Sequence, residues 1–116
     1  DGGLVPPGNP DRLKHSLKEK IWGAYNIENQ AGLQGGEWEV AHGGYDSRPV
    51  LQDPDRLVPV DVLREFEKAG LIGKLHDEFL STTGQGNPLE NSRNIGREMA
   101  DRLKKSKVDA VILTST

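Results

Sequence analysis

Two short polar clusters carry the side chains best suited to chemistry in this sequence. The first is His42-Gly43-Gly44-Tyr45-Asp46. A histidine can transfer protons near neutral pH, and paired glycines let the backbone approach a ligand closely. An aspartate in the same turn can orient a neighbouring group or bind an ammonium ion. The alternative is a structural turn from a strand into a loop, with His42 and Asp46 in solvent, and the residues alone leave it open.

The second cluster follows a predicted strand and precedes a predicted helix. It contains Ser81, Thr82, Thr83, Gly84, Gln85, Gly86 and Asn87. Backbone N–H groups and the helix dipole favour an anion at such a position, so residues 82–86 are candidates for binding a carboxylate or phosphate. The glycines complete neither a Walker loop nor a Rossmann fingerprint. An ordinary loop before a capped helix is the alternative.

Hydrophobic patterning predicts the elements that would position both clusters. Three short strands are expected at residues 37–42, 79–82 and 108–113. Two helices should separate these strands. The first begins at Pro59, carries Val62, Leu63 and Phe66 on one side, and ends at Gly70. The second begins at Asn87 and Pro88, and carries Ile95, Met99 and Leu103 on one face.

This β-α-β-α-β order predicts an α/β fold: a small parallel sheet with helices packed on it, within a larger doubly wound domain. Ligands bind at the carboxyl ends of the strands in such sheets. The polar tips at residues 42–46, 81–86 and 114–116 would therefore lie along one edge. We assign residues 37–116 to this α/β unit.

Residues 1–36 are expected to form an N-terminal helix followed by a linker. Asn9 would cap the helix, with Pro10 in its first turn. One helix face would carry Leu13, Leu17 and Ile21, and Gly23 would end it. The polar residues 26–36 are predicted to be a loop.

Composition narrows the classes of function. The net charge is −3 with both signs interspersed, so no basic stripe supports nucleic-acid binding. No apolar run is long enough to span a membrane. The sequence has no cysteine, which excludes disulfides and cysteine-ligated metals and fits a reducing cytoplasm. His15 and His76 lack a second ligand at metal spacing, so no metal is expected.

Other conspicuous residues are expected to be structural. The Asp53-Pro54-Asp55 run is typical of a turn. The aromatic side chains of Trp22, Tyr25, Trp38 and Tyr45 are expected in the core, although such residues can also cage a quaternary ammonium group.

Several ordered stretches of the chain resemble the selenoprotein B subunit of the glycine, sarcosine and betaine reductase family. They are AHGGYD at residues 41–46, DRLVPVDVLRE at 55–65, IGKLH at 72–76 and VDAVILTST at 108–116. Residues 3–11 are similar as well. In that family, the run Thr114-Ser115-Thr116 is followed at once by selenocysteine, whose UGA codon is normally a stop. The resemblance therefore implies a fragment that lacks its nucleophile and is inactive alone.

The resemblance also implies the chemistry of the intact enzyme. A pyruvoyl-bearing partner subunit would hold the amino acid, and the selenolate would displace the amine from its α-carbon. Selenoprotein A would receive the carboxymethyl group on the way to acetyl phosphate, and thioredoxin would supply electrons. Whether glycine, sarcosine or betaine is the substrate stays open.

We combine the family motif with the predicted sheet edge to assign roles. Thr114, Ser115 and Thr116 would lead into the nucleophile. His42 and Asp46 would handle protons or contact the amine, and Gly43, Gly44, Tyr45 and residues 82–86 would contact the substrate. The alternative is a non-catalytic α/β module that binds a small carboxylate at the same edge. Exposed sheet edges could also pair with a second copy of the chain.

Overall fold

Two antiparallel strand pairs join the N-terminal part of the chain to its middle. The structure, a computed structural model, describes residues 3–14, 20–84 and 86–115. Strand β1 (Leu4–Val5) pairs with β3 (Glu39–Val40), and β2 (Gly23–Asn26) pairs with β4 (Glu78–Ser81). Each pair is antiparallel and forms its own two-stranded sheet. Both sheets therefore combine a strand from before residue 36 with one from after it.

Three α-helices complete the part of the chain that the structure describes. They are α1 (Arg48–Gln52), α2 (Val60–Lys68) and α3 (Leu89–Lys105), and a 3₁₀ turn at Pro54–Arg56 lies between the first two. None of the helices in these ranges has the length and apolar character needed to cross a membrane.

An aromatic cluster ties the two sheets together. Phe79 of β4 contacts the ring of Tyr25 on β2 at a centroid distance of 5.5 Å, in an edge-on arrangement. It also contacts Trp38, just before β3, at 5.3 Å. Tyr25 and Trp38 are buried, as the sequence predicted, and aromatic pairs of this geometry stabilise a core beyond the area they bury. The cluster adjoins Leu4 and Val5 of β1, which are almost completely buried.

The half-buried carboxylate of Asp55 fixes the start of α2 to a distant loop. One oxygen accepts hydrogen bonds from the backbone N–H groups of Val60 (2.9 Å) and Asp61 (3.2 Å). The other accepts from the N–H of Leu33 at 2.7 Å. Burial raises the pKa of Asp55, while these N–H donors act in the opposite direction. A Cβ on Gly32 would lie 2.8 Å from the carboxylate, so only glycine leaves room for this contact.

The α/β class is confirmed, but the expected parallel sheet is not found within residues 3–14, 20–84 and 86–115. The strand predicted at 79–82 exists as β4, and the one predicted at 37–42 is reduced to the two residues of β3. Both take antiparallel partners from the N-terminal stretch. Hydrophobic patterning reports which residues are buried and does not specify which strand pairs with which, so this outcome was not readable from the pattern.

The third predicted strand, at residues 108–113, is not part of either sheet. The side chains of Val111, Ile112 and Leu113 are 56, 62 and 90% exposed. The prediction of a buried parallel strand is therefore wrong for this structure, because no neighbouring strand covers the run.

Helices α2 and α3 lie where the sequence placed them. The α2 helix ends with Gly70 in the left-handed region (φ 70°), and the N–H of Leu71 bonds to the carbonyl of Phe66 at 2.9 Å. Of the three apolar residues predicted on one side of α2, Leu63 is half-buried, but the other two are exposed. Val62 and Phe66 are 42 and 41% exposed, whereas Val60 is buried.

Arg64 explains why α2 packs on a different face. Its guanidinium donates to the backbone carbonyl of Ile27 at 2.9 Å and to that of Gln30 at 3.0 Å, and it also bonds to Glu67 at 2.8 Å. Because of these bonds, the side of α2 that carries Val60, Arg64 and Glu67 faces the loop at residues 27–30.

The N-terminal helix is not seen in the described residues that flank its predicted centre. Asn9 is not a helix cap: its φ is 44°, and its side chain exchanges two hydrogen bonds with the backbone of Leu13. Gly23 begins β2 rather than ending a helix. Leu17 and His15 lie outside the described residues.

Replacing Asp55 with alanine should lower the free energy of unfolding by about 2 to 3 kcal/mol, because three backbone N–H groups lose their acceptor. Urea denaturation measures the change. Asp53→Ala is the matched control, since Asp53 pairs only with Arg56 at the exposed surface and should cost less than about 0.5 kcal/mol. Equal effects of the two substitutions would contradict the role assigned to Asp55.

Candidate functional site

The two polar clusters predicted from the sequence meet in the structure, with Gly3 between them. The N–H of Ala41 donates to the carbonyl of Gly3 at 2.8 Å, and the N–H of Gly3 donates to the carbonyl of Thr82 at 3.2 Å. The short ladder extends β1 toward the ends of β3 and β4. The segments beginning at residues 41 and 82 are thus held side by side, although through a β1 backbone rather than a parallel sheet.

Gly3 is a residue of this site that the sequence analysis did not single out. Its φ is 60°, and a Cβ there would lie 3.0 Å from the Cβ of His42 and 3.1 Å from its backbone nitrogen. Position 3 therefore needs glycine, both for conformation and for space. The available signal was the family-like character of residues 3–11.

Thr83 makes a direct link between the clusters. Its side chain is only 2% exposed, and its hydroxyl donates to the carbonyl of Ala41 at 3.2 Å. Thr83 therefore positions the backbone that leads into His42. The hydroxyl of Thr82 is half-buried, and its bond to the carbonyl of Thr83, at 3.5 Å, is at the limit of hydrogen-bond length.

His42 and Tyr45 form a ring pair at the surface of the site. Their centroids are 5.6 Å apart with the planes tilted by 44°, and both side chains are half-buried. Burial raises the pKa of the Tyr45 phenol, so it stays protonated at neutral pH and can donate a hydrogen bond. Gly43 and Gly44 are exposed, and Gly44 has a φ of 95° that lets the chain turn between the two rings.

Asp46 is engaged by its neighbour Arg48. The guanidinium donates two hydrogen bonds to the carboxylate, at 2.8 and 2.7 Å, and the backbone N–H of Arg48 adds a third at 3.1 Å. These bonds lower the pKa of Asp46, so the carboxylate is ionised at neutral pH. Asp46 can attract an ammonium group, but it is a poor proton donor.

The approach to α3 contains the remaining residues of the second cluster. Gly84 is buried with a φ of 136°, and Gly86 is exposed with a φ of 61°. Gln85 lies outside the described residues. The N-cap of α3 is Pro88 rather than Asn87, and no side chain caps the helix.

The third predicted tip is placed differently from the first two. Thr114 and Ser115 belong to an exposed segment after α3 that is in neither sheet. Thr116 lies outside the described residues. The predicted roles of His42, Asp46, Thr114, Ser115 and Thr116, and of the substrate-contacting residues, stay predictions.

An open groove of about 850 Å³ between the β2–β4 sheet and α3 lies apart from these clusters. In it, Arg102 makes a forked ion pair with Glu78 at 2.7 and 2.8 Å, and the Trp22 indole donates to Glu98 at 2.9 Å. These contacts attach α3 to the sheet. None of the residues that line the groove belongs to the predicted site.

Comparison with known proteins gives the family. A family model described as glycine/sarcosine/betaine reductase selenoprotein B matches residues 1–116. The chain belongs to this family. No solved structure matches it.

Curated relatives of the family cover nearly the whole chain. The glycine reductase complex component B subunit gamma of Carboxydothermus hydrogenoformans is 51% identical over 99% of the chain, which is 26% of that relative. The betaine reductase complex component B subunit beta of Peptoclostridium acidaminophilum is 41% identical over the same shares. The D-proline reductase subunit gamma of Acetoanaerobium sticklandii is 38% identical over 66% of the chain and 32% of that relative. The chain spans about a quarter of the length of the first two.

Replacing Thr83 with valine should reduce the free energy of unfolding by about 1 to 2 kcal/mol, because the half-buried carbonyl of Ala41 loses its donor while the shape of the side chain is kept. Chemical denaturation measures the loss. Thr82→Val is the control and should change stability by less than about 0.5 kcal/mol, since the Thr82 hydroxyl makes only a marginal bond. A Thr83→Val protein as stable as the control would show that this link is not needed.

Proposed function

We propose that this chain is part of the substrate-specific selenoprotein B component of a reductase that removes the amine from a small amino acid or its N-methyl derivative. Membership of the family, and relatives named as component B subunits of glycine and betaine reductase complexes, support the proposal. The chain represents about a quarter of those relatives. The activity is therefore proposed for the longer polypeptide in its complex.

The observation that carries the site is the convergence of the two polar clusters on Gly3. The backbone bonds between Ala41 and Gly3 and between Gly3 and Thr82 join the segment that leads into His42 to the start of the second cluster, and the ring of Tyr45 contacts that of His42. This arrangement supports a substrate-binding wall in which one segment offers an imidazole and a phenol and the other offers backbone groups.

The charges of the wall suit an amino acid. The ionised Asp46 would attract the ammonium or quaternary ammonium end of the substrate, at the expense of part of its pairing with Arg48. His42 would exchange a proton with the departing amine, since a histidine can do so near neutral pH. Residues 82–86 would face the carboxylate, as the sequence analysis expects.

The nucleophile is proposed to follow Thr116. The resemblance implies a selenocysteine at that position, and a selenol, more acidic than a thiol, would supply the anion that nucleophilic displacement requires. In this proposal Thr114, Ser115 and Thr116 position that residue. The pyruvoyl subunit, selenoprotein A and the thioredoxin system that the resemblance implies are proposed partners of the longer polypeptide.

Glycine is the proposed substrate among the three amino acids in the family description. The chain is 51% identical to the glycine reductase subunit of C. hydrogenoformans and 41% identical to the betaine reductase subunit of P. acidaminophilum. Turnover of glycine, sarcosine and betaine by the assembled complex tests this assignment, and a preference for betaine would contradict it.

His42→Ala in the full-length, selenium-containing complex should lower kcat by about 100-fold or more, which is the usual contribution of a positioned acid–base group. Glycine-dependent turnover gives the measurement. His76→Ala is the matched control, because His76 lines the separate groove near Glu78 and should leave turnover within about twofold.

The same experiment distinguishes the alternative function. If the full-length selenium-containing complex binds glycine in calorimetry but never turns it over, the non-catalytic carboxylate-binding module is favoured. If His42→Ala turns over glycine as fast as the unsubstituted complex, His42 has no acid–base role.

A further inference from the structure

The segment that follows α3 is both apolar and exposed to solvent. Residues 108–113 read Val-Asp-Ala-Val-Ile-Leu, a β-branched, apolar run. The side chains of Val111, Ile112 and Leu113 are consecutive and are all more than half exposed. Consecutive side chains of a strand point to opposite faces, so both faces of this run are apolar. That composition is typical of a strand covered on both sides.

The direction of the segment is fixed by the end of α3. Lys107 takes a left-handed conformation (φ 58°) and donates its N–H to the carbonyl of Lys104 at 3.0 Å. The N–H of Val108 then reaches back to the carbonyl of Leu103, also at 3.0 Å. This pair of bonds is the usual termination motif of a helix. The apolar run therefore leaves an ordered helix end at a defined angle.

The described residues of the chain offer this run no strand partner. Both sheets in residues 3–14, 20–84 and 86–115 are two-stranded pairs that do not include it. The glycine and betaine reductase subunits are almost four times as long as the chain, which covers 26% of each. Most of the polypeptide that could cover the run therefore lies outside the matched quarter.

We propose that residues 108–113 are a docking strand, which pairs with a sheet supplied by the remainder of the family polypeptide. A strand edge supplies the missing hydrogen bonds, and helices or strands of that region cover both apolar faces. The inference rests on family membership and on the exposed run, and does not depend on the proposed reaction. If the reaction is also correct, pairing of this strand fixes Thr114 and Ser115 at its end.

Hydrogen exchange tests the docking strand directly. Backbone amides of residues 109–113 in the 116-residue chain should exchange at nearly unprotected rates, whereas that of Val108 is bonded to the end of α3. The aligned amides in the full-length C. hydrogenoformans relative should be protected by about 100-fold or more, as expected of strands within a folded core. Fast exchange in both proteins would overturn the proposal.

A concentration series on the 116-residue chain separates the docking strand from self-association. Protection that grows with protein concentration, together with a dimer in sedimentation, would show that a second copy covers the run and would also overturn the proposal. Neither readout requires selenium or turnover, so failure of the proposed reaction leaves this test intact.

A pair of substitutions gives an independent check. Ile112→Asp should leave the urea midpoint of the 116-residue chain unchanged, because Ile112 is 62% exposed there. The aligned substitution in the full-length relative should lower the thermal midpoint by several degrees or prevent folding. Leu89→Asp is the matched control in the 116-residue chain, since Leu89 is 65% exposed at the start of α3 and its replacement should also leave the urea midpoint unchanged. A tolerated Ile112→Asp in the full-length relative would contradict the docking strand.

Discussion

The backbone of Gly3 is the constraint on which the arrangement of the site depends. Its carbonyl and N–H each bond to a different segment, one at Ala41 and one at Thr82, so the two sheets are connected at this residue. A side chain at this position would press on the Cβ of His42. The N-terminal stretch therefore holds the two polar clusters together. On the core side, the aromatic contacts of Phe79 with Tyr25 and Trp38 join the same two sheets.

Predictions from the sequence were most reliable for elements whose secondary structure is determined by their own residues. The periodic apolar residues and the glycine after residue 69 were enough to place α2 and α3, and the short run that begins with Phe79 and Leu80 was enough for β4. Predictions were less reliable where the structure depends on pairing with a strand that is distant in the sequence. The strands β1 and β3 have two residues each, too few for a period to be visible. Their antiparallel pairing joins Leu4 to Val40 and Val5 to Glu39, which are far apart in the sequence.

In the candidate site, too, some features could be predicted from the sequence and others depend on contacts made only in the folded chain. The residue types of the two clusters were readable from sequence. The sequence placed both clusters along one edge of a parallel sheet without fixing how close they come, and in the structure they are joined through Gly3 instead. The engagement of Asp46 by Arg48 was not readable, because only the turn after residue 46 brings the guanidinium onto the carboxylate. That contact lowers the pKa of Asp46 further, which favours the ionised carboxylate.

The contact between Asp55 and Gly32 links two parts of the sequence that change in evolution by separate mutations. The carboxylate reaches the N–H of Leu33 only because position 32 has no Cβ in its path. A larger residue at 32 would displace the carboxylate, and once the carboxylate is gone, the restriction that remains at 32 is the Cβ of Asp61, 3.1 Å from an added Cβ. Substitutions at these positions should therefore be epistatic, and the order in which they arise determines which intermediates fold.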